Sequence, residues 1–171
     1  MSCSLRPVGR AHRAQLERLT RATGLFTEDE VATAVELLDE SVGEGGSADY
    51  RFVGAFDDGA TDALAGYACW GPTPGTSGTA DLYWIAVDPA WQGQGVGTQL
   101  VREVERRLKA DGCRLVVVET SSRAAYEPTR RFYQRRGYTR AATIPGYYAP
   151  GDDLVIYTKD LTDGELARAT S

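Results

Sequence analysis

The run Gln92-Gly93-Gln94-Gly95-Val96-Gly97 is the part of this sequence best suited to holding an anion. It lies between an apolar stretch ending at Val87 and an amphipathic stretch beginning at Val96, so it reads as a strand-to-helix turn. Glycines leave backbone N–H groups bare enough to approach a phosphate, and the following helix supplies about half a positive charge at its N-terminus. A turn that merely needs glycine geometry is the plainer alternative, and three alternating glycines weigh against it. Two familiar phosphate loops do not fit. A G-x-G-x-x-G fingerprint begun at Gly93 or Gly95 would need glycine where Thr98 or Leu100 stands, and a Walker loop would need a second glycine and a lysine that are absent before Thr98.

Other chemistry finds little support. Cys3, Cys69 and Cys113 are isolated, with no CxxC and no histidine cluster, and Cys69 and Cys113 read as small core residues. No metal constellation is present. His12, the single histidine, lies early in a predicted helix without a Ser, Cys or Asp pattern around it and reads as solvent-facing. Trp70, Tyr83 and Trp84 read as core, with Tyr83 also able to line an acceptor pocket. The net charge of −5 is uneven, because eleven of the nineteen Lys and Arg residues fall between Arg102 and Arg140. Solvated basic helix faces explain most of them, and a local positive field for an anionic ligand is the sharper reading. A pI near 5.0 argues against a nucleic-acid surface.

The elements that must position the turn follow from periodicity and breakers. Strands are predicted over 5–8, 50–56, 63–70, 81–87, 114–119, 138–143 and 154–159, and helices over 10–22, 27–42, 96–110 and 128–136. Thr27 and Glu30 have the spacing of a capping box at the second helix. Val96, Leu100, Val101, Val104 and Leu108 form the buried stripe of the third. Apolar residues on both faces of 81–87 predict a central, covered strand. The order predicts one domain over residues 1–161, with a loose tail over 162–171. No apolar run approaches the ~20 residues needed to span a bilayer and the N-terminus lacks a signal-type apolar segment, so a cytoplasmic protein is expected.

Trp84-Ile-Ala-Val-Asp-Pro-Ala-Trp-Gln-Gly-Gln-Gly-Val-Gly97 closely resembles the fourth strand and following turn of the GNAT superfamily of acyl-CoA-dependent N-acetyltransferases, whose loop reads [QR]-x-x-G-x-[GA]. Phe132-Tyr-Gln-Arg-Arg-Gly-Tyr138 is similar to that family's second signature, and the element order matches over most of the chain. The resemblance implies an α/β (α+β) fold: a mixed central sheet of about seven strands with helices on both faces. It implies acetyl-CoA as co-substrate, an amine acceptor and no metal. By the same resemblance, Gln92, Gly93, Gln94, Gly95, Val96, Gly97 and Thr98 would hold the pyrophosphate. The pantetheine would lie between splayed strands 81–87 and 114–119, paired with the edge at Ile85, Ala86 and Val87. One departure stands out: Tyr126 occupies the position where many relatives carry asparagine, and Pro128 interrupts the usual pattern.

Acyl transfer to an amine needs that amine neutral. An alkylamine of pKa near 10.4 costs roughly 4.6 kcal/mol to neutralise at pH 7, so a positioned base or water chain is required. Asp81 stands where some relatives carry a catalytic glutamate and would act through a relayed water, and Glu119 is the rival base. The plainer reading of Asp81 is a strand-end carboxylate outside the chemistry. Tyr133 occupies the family's general-acid position, protonating the departing thiolate, and a packed aromatic is its plainer alternative. The acceptor would enter between residues 20–30 and 144–153, which carry Glu28, Asp29, Glu30, Tyr147, Tyr148, Asp152 and Asp153. A small-molecule primary amine is the expected acceptor, with a protein or peptide N-acetyltransferase, or a non-catalytic acyl-CoA-binding module, as alternatives. Neither nucleic acid nor membrane is an expected partner, and a homodimer is admitted.

Overall fold

A computed structural model describes residues 2–59 and 62–162. The strands are β1 Cys3–Arg6, β2 Arg51–Asp57, β3 Leu64–Pro72, β4 Thr79–Val87, β5 Leu115–Ser121, β6 Thr139–Ala149 and β7 Asp152–Asp160. The helices are α1 Arg13–Ala22, α2 Glu28–Ser41, α3 Val96–Ala110 and α4 Glu127–Arg135. The strands form one sheet in the order β1-β2-β3-β4-β5-β7-β6. β4 and β5 run parallel, while the β1–β2, β2–β3, β5–β7 and β6–β7 pairs are antiparallel, so the predicted mixed sheet is present. The tail expected over 162–171 lies outside the described residues but for Thr162.

The chain divides into two compact units, Met1–Pro72 with Tyr83–Arg107, and Thr73–Leu82 with Leu108–Ser171. In the first, Leu16, Leu19, Val35 and Leu38 bring the apolar faces of α1 and α2 onto Phe52, Phe56 and Tyr67 of the sheet. Each such buried side chain contributes about 1.5–3 kcal/mol relative to exposure. Thr20 Oγ1 bonds back to Leu16 O and shares a 2.7 Å hydrogen bond with the Tyr67 hydroxyl, tying α1 to β3. The Thr27–Glu30 capping box forms as predicted, Glu30 N donating to Thr27 Oγ1 and Thr27 N to Glu30 Oε2.

Three expectations are corrected here. β1 spans 3–6 rather than 5–8, because Pro7 has no N–H to donate to a ladder and the register with β2 closes at Arg6↔Gly54. His12 does not face solvent: its side chain is 19 % exposed, its ring packs on Phe56, and Nδ1 accepts from Gly9 N at 2.9 Å. Gly9 has no side chain with which to cap that turn, and the imidazole serves instead. Tyr83, read as core, is 39 % exposed and rests its edge on Tyr50, so β4 is not covered along its whole length.

In the second unit β6 and β7 are longer than the predicted 138–143 and 154–159. The expected acceptor loop over 144–153 is mostly strand, closed by a short turn at Pro150-Gly151. Its proline and glycines suggested a loop, but β6 is an edge strand, where a missing N–H is tolerated. Between Ile144↔Leu154 and Ala149↔Asp152 the register shifts, so residues 145–148 stand against Asp153 alone. That bulge carries Tyr147 and Tyr148 outward.

Candidate active site

The glycine-rich turn belongs to the first unit. Asp88 ends β4 and caps the short Pro89–Trp91 turn through Ala90 N at 2.9 Å. Gly93 and Gly95 then adopt φ of 75° and 85°, the left-handed region that side chains disfavour. A Cβ at either position would meet no atom within 4 Å, so both glycines border open space rather than packed core. Those two facts fit a cradle that a ligand group enters, and a side chain would occupy it. The first bond of α3 is Gln99 N to Gly95 O at 3.0 Å, leaving Val96 and Gly97 as its first two residues, without intrahelical acceptors. Thr98 follows as the third. Gly66 on β3 lets the start of α3 approach the sheet, since a Cβ there would stand 3.0 Å from Ala86 O and 3.1 Å from Val96 Cγ1.

Gln92 and Gln94 brace this turn with their side chains. Gln92 Nε2 donates to Val87 O at 3.2 Å and Gln94 Nε2 to Ala90 O at 2.9 Å. The Gln92 amide therefore meets backbone, and the Val87 carbonyl, expected to lie on an open strand edge, is occupied by it. Ile85 and Val87 are half-buried and Ala86 is buried. Further along α3, Glu103 bonds Arg106 and Arg107 at 2.7 Å each, and those bonds hold its carboxyl down at about 2. Two of the basic residues that suggested a positive field thus share one carboxylate on their own helix, which cancels one of their two charges.

The acidic residues near the start of α2 have structural partners as well. Glu28 bonds Arg21 and Glu30 completes the capping box.

The candidate acid and bases belong to the second unit. Asp81 is registered with Val117 across the parallel β4–β5 ladder, and Glu119 lies two positions beyond Val117, so both carboxylates share one face of the sheet. Thr73 Oγ1 donates to Asp81 Oδ2 at 2.6 Å, which fixes that carboxylate. Partial burial, and secondarily the Asp81 charge, push the Glu119 carboxyl above the usual range. Tyr148 has its phenol pushed up to about 12, by burial first and then by the Glu119 charge, with smaller contributions from Tyr147, Asp152 and Tyr126. The bulge in β6 thus sets Tyr148 within electrostatic range of Glu119.

Tyr133 lies on the opposite face. Its ring stacks 6.4 Å from Tyr157, which the β5–β7 register pairs with Val118, and meets Tyr138 edge-on at 5.4 Å. It is 3 % exposed, and burial raises its hydroxyl well above the ordinary tyrosine range, keeping it a neutral donor. Sequence reasoning missed a polar cluster at the end of β5. Ser121 Oγ bonds Asp152 Oδ1, Arg123 Nε pairs with Asp152 Oδ2 at 3.2 Å, and Arg130 Nη1 donates to Ser121 O and Arg123 O. Ser121 and Asp152 are 31 residues apart, and neither carries a local spacing signal that could have found it.

Among the described residues no group of three or more His, Cys, Asp or Glu side chains could hold a metal ion, and no helix is long and apolar enough to cross a membrane.

A family model described as the acetyltransferase (GNAT) family matches residues 15–138. The chain is 32 % identical over 151 residues to mycothiol acetyltransferase of Nocardia farcinica, covering 84 % of this chain and 47 % of that protein. The chain spans about half the length of the first curated relatives it matches. A crystal structure from Desulfovibrio desulfuricans, described as an acetyltransferase of the GNAT family, superposes with a TM-score of 0.89 at 41 % identity. It covers 94 % of this chain and all of that one. The PaiA N-acetyltransferase of Thermoplasma acidophilum, solved in complex with coenzyme A, shares the fold at a TM-score of 0.73 and 20 % identity, covering 94 % of this chain and 99 % of its own.

Proposed function

Because this chain belongs to the acetyltransferase (GNAT) family, we propose that it transfers an acetyl group from acetyl-CoA to a primary amine of a small molecule. The observation that carries this reading is the pair of carboxylates, Asp81 and Glu119, on one face of adjacent parallel strands, with partial burial and the Asp81 charge raising the Glu119 carboxyl so that it is better able to hold a proton. The open positive-φ glycines of the 93–98 turn support a phosphate-bearing donor, their amides meeting its pyrophosphate.

In this scheme the ammonium gives its proton to Glu119, directly or through water, while Asp81 holds the local negative charge. The amine lone pair forms the new C–N bond at the thioester carbonyl and the C–S bond breaks. Tyr133 gives the departing sulfur its proton, the cationic nitrogen of the adduct loses its second proton to solvent, and the phenolate regains one from solvent as Glu119 releases its own.

The exposed β6 edge favours a second reading, a peptide acceptor laid along that strand. A thiol-release screen of acetyl-CoA against amines, amino acids, polyamines and peptides decides between them. Release with small amines alone supports the first reading, with peptides alone the second, and with neither overturns transfer.

A further inference from the structure

The helix that carries Tyr133 is tied to the strand that carries Glu119 through one side chain. Arg130 lies one turn before Tyr133 on α4, and its Nη1 donates to two carbonyls, Ser121 O at 2.7 Å and Arg123 O at 2.9 Å. Those carbonyls are themselves held in place. Arg123 N donates to Ser121 Oγ at 3.0 Å, Ser121 Oγ bonds the buried Asp152, and Asp152 pairs with Arg123 Nε. Next to them, Asp153 N donates to Ser122 Oγ at 2.8 Å, and Asp153 Oδ1 accepts from Gly146 N at 2.8 Å in the bulge that presents Tyr148. Two adjoining groups of hydrogen bonds, joined by the Ser121-Ser122 and Asp152-Asp153 peptide links, therefore run from α4, past the end of β5, to the β6 bulge.

We propose that Arg130, seated on the Ser121–Arg123 carbonyls and anchored through Asp152, is the positioning residue that fixes the Tyr133 hydroxyl for proton transfer. The aromatic contacts of Tyr133 with Tyr138 and Tyr157 hold its ring by packing, which carries no directional preference for the hydroxyl. Hydrogen bonds are directional, and two of them from one guanidinium nitrogen set both the roll and the depth of the helix. Arg130 and Tyr133, three positions apart, turn together. An error near 1 Å at a reacting proton is enough to cost roughly 10²-fold in rate.

The inference rests on the assignment of Tyr133 as acid, and its test has two arms. In the first, Arg130→Met and Arg130→Lys are measured alone and with Tyr133→Phe in the thiol-release assay. Arg130→Met should lower kcat by about 10–10²-fold with KM for acetyl-CoA unchanged. Arg130→Lys should retain part of the rate, and neither should lower it further once Tyr133 is phenylalanine. A loss from Arg130→Met that persists in full in the Tyr133→Phe background overturns the proposal. Should Arg130→Met fail to fold, Arg130→Lys and Asp152→Asn carry the same cycle. The second arm needs no acceptor: in protein carrying ring-labelled tyrosine, the Tyr133 Cζ resonance, identified by its loss in Tyr133→Phe, should shift in Arg130→Lys. If no amine is turned over, the transfer reading fails while this resonance still decides the positioning, and an unmoved signal overturns it.

Discussion

Asp81 and Glu119 occupy the same face of neighbouring parallel strands, Asp81 level with Val117 and Glu119 one side-chain repeat further along β5. Tyr133 lies against Tyr157 on the other face of the same layer. The backbone of β5 thus separates the residues assigned as proton acceptors from the residue assigned as proton donor.

The two carboxylates should separate in their pH behaviour. Glu119→Gln should depress kcat/KM at neutral pH and recover partly at high pH, where the amine loses its proton unaided. Asp81→Asn should cost less, because Thr73 holds that carboxylate in place and its charge acts mainly on Glu119. Rate profiles measured from pH 6 to 10 check both, and a wild-type profile in Glu119→Gln would remove it as the base.

The same group predicts a stability change. A carboxyl raised in the folded protein binds its proton more tightly there than in the unfolded chain. Stability is therefore lost as pH rises from the ordinary glutamate value of 4.5 through the raised folded value. Thermal melts of Glu119→Gln should match wild type in acid and exceed it slightly at neutral pH, the gain being small because the residue is only partly buried and solvent screens its charge.

Tyr133→Phe should lower kcat by about 10²–10⁴-fold with little change in acetyl-CoA affinity. Turnover within twofold of wild type would take the hydroxyl out of the mechanism and leave Tyr133 as a packed ring.

Gly95→Val should abolish detectable coenzyme A binding, by placing a branched side chain at φ 85° and in the open space that the turn amides face. Calorimetry on folded mutant protein checks this, and unchanged affinity would count against the turn as the pyrophosphate site.

Glu103→Gln should lower stability by about 0.5–1 kcal/mol at pH 7, the usual worth of two helix ion pairs. Its carboxyl is held low, so its contribution is present above the ordinary glutamate value of 4.5 and lost as pH falls towards about 2. Denaturant titrations of the two proteins should therefore converge in acid.

What was legible in the sequence is what local spacing encodes. The α3 boundaries at Val96 and Ala110, its buried stripe, the Thr27–Glu30 cap and the glycine turn each depend on residues a few positions apart. What was not legible depends on partners distant in the chain. The length of β6 is set by its pairing with β7, and its edge position excuses Pro145. The Arg130–Ser121–Asp152 cluster joins three elements, and the place of His12 is set by Phe56 and by a glycine unable to cap. Glu28 and Glu30, read as possible acceptor contacts, are committed to an ion pair and a cap.

The Gln92 and Gln94 side-chain bonds to Val87 O and Ala90 O have a kinetic consequence. The strand end and the turn are fastened to each other by the protein's own amides, which braces the loop in the conformation described. If the turn is the pyrophosphate site, as proposed, less conformational entropy is left to lose on association than for an unbraced loop. Replacing Gln92 with a residue unable to reach Val87 would move that ordering into the binding event itself, where it would surface as a slower on-rate.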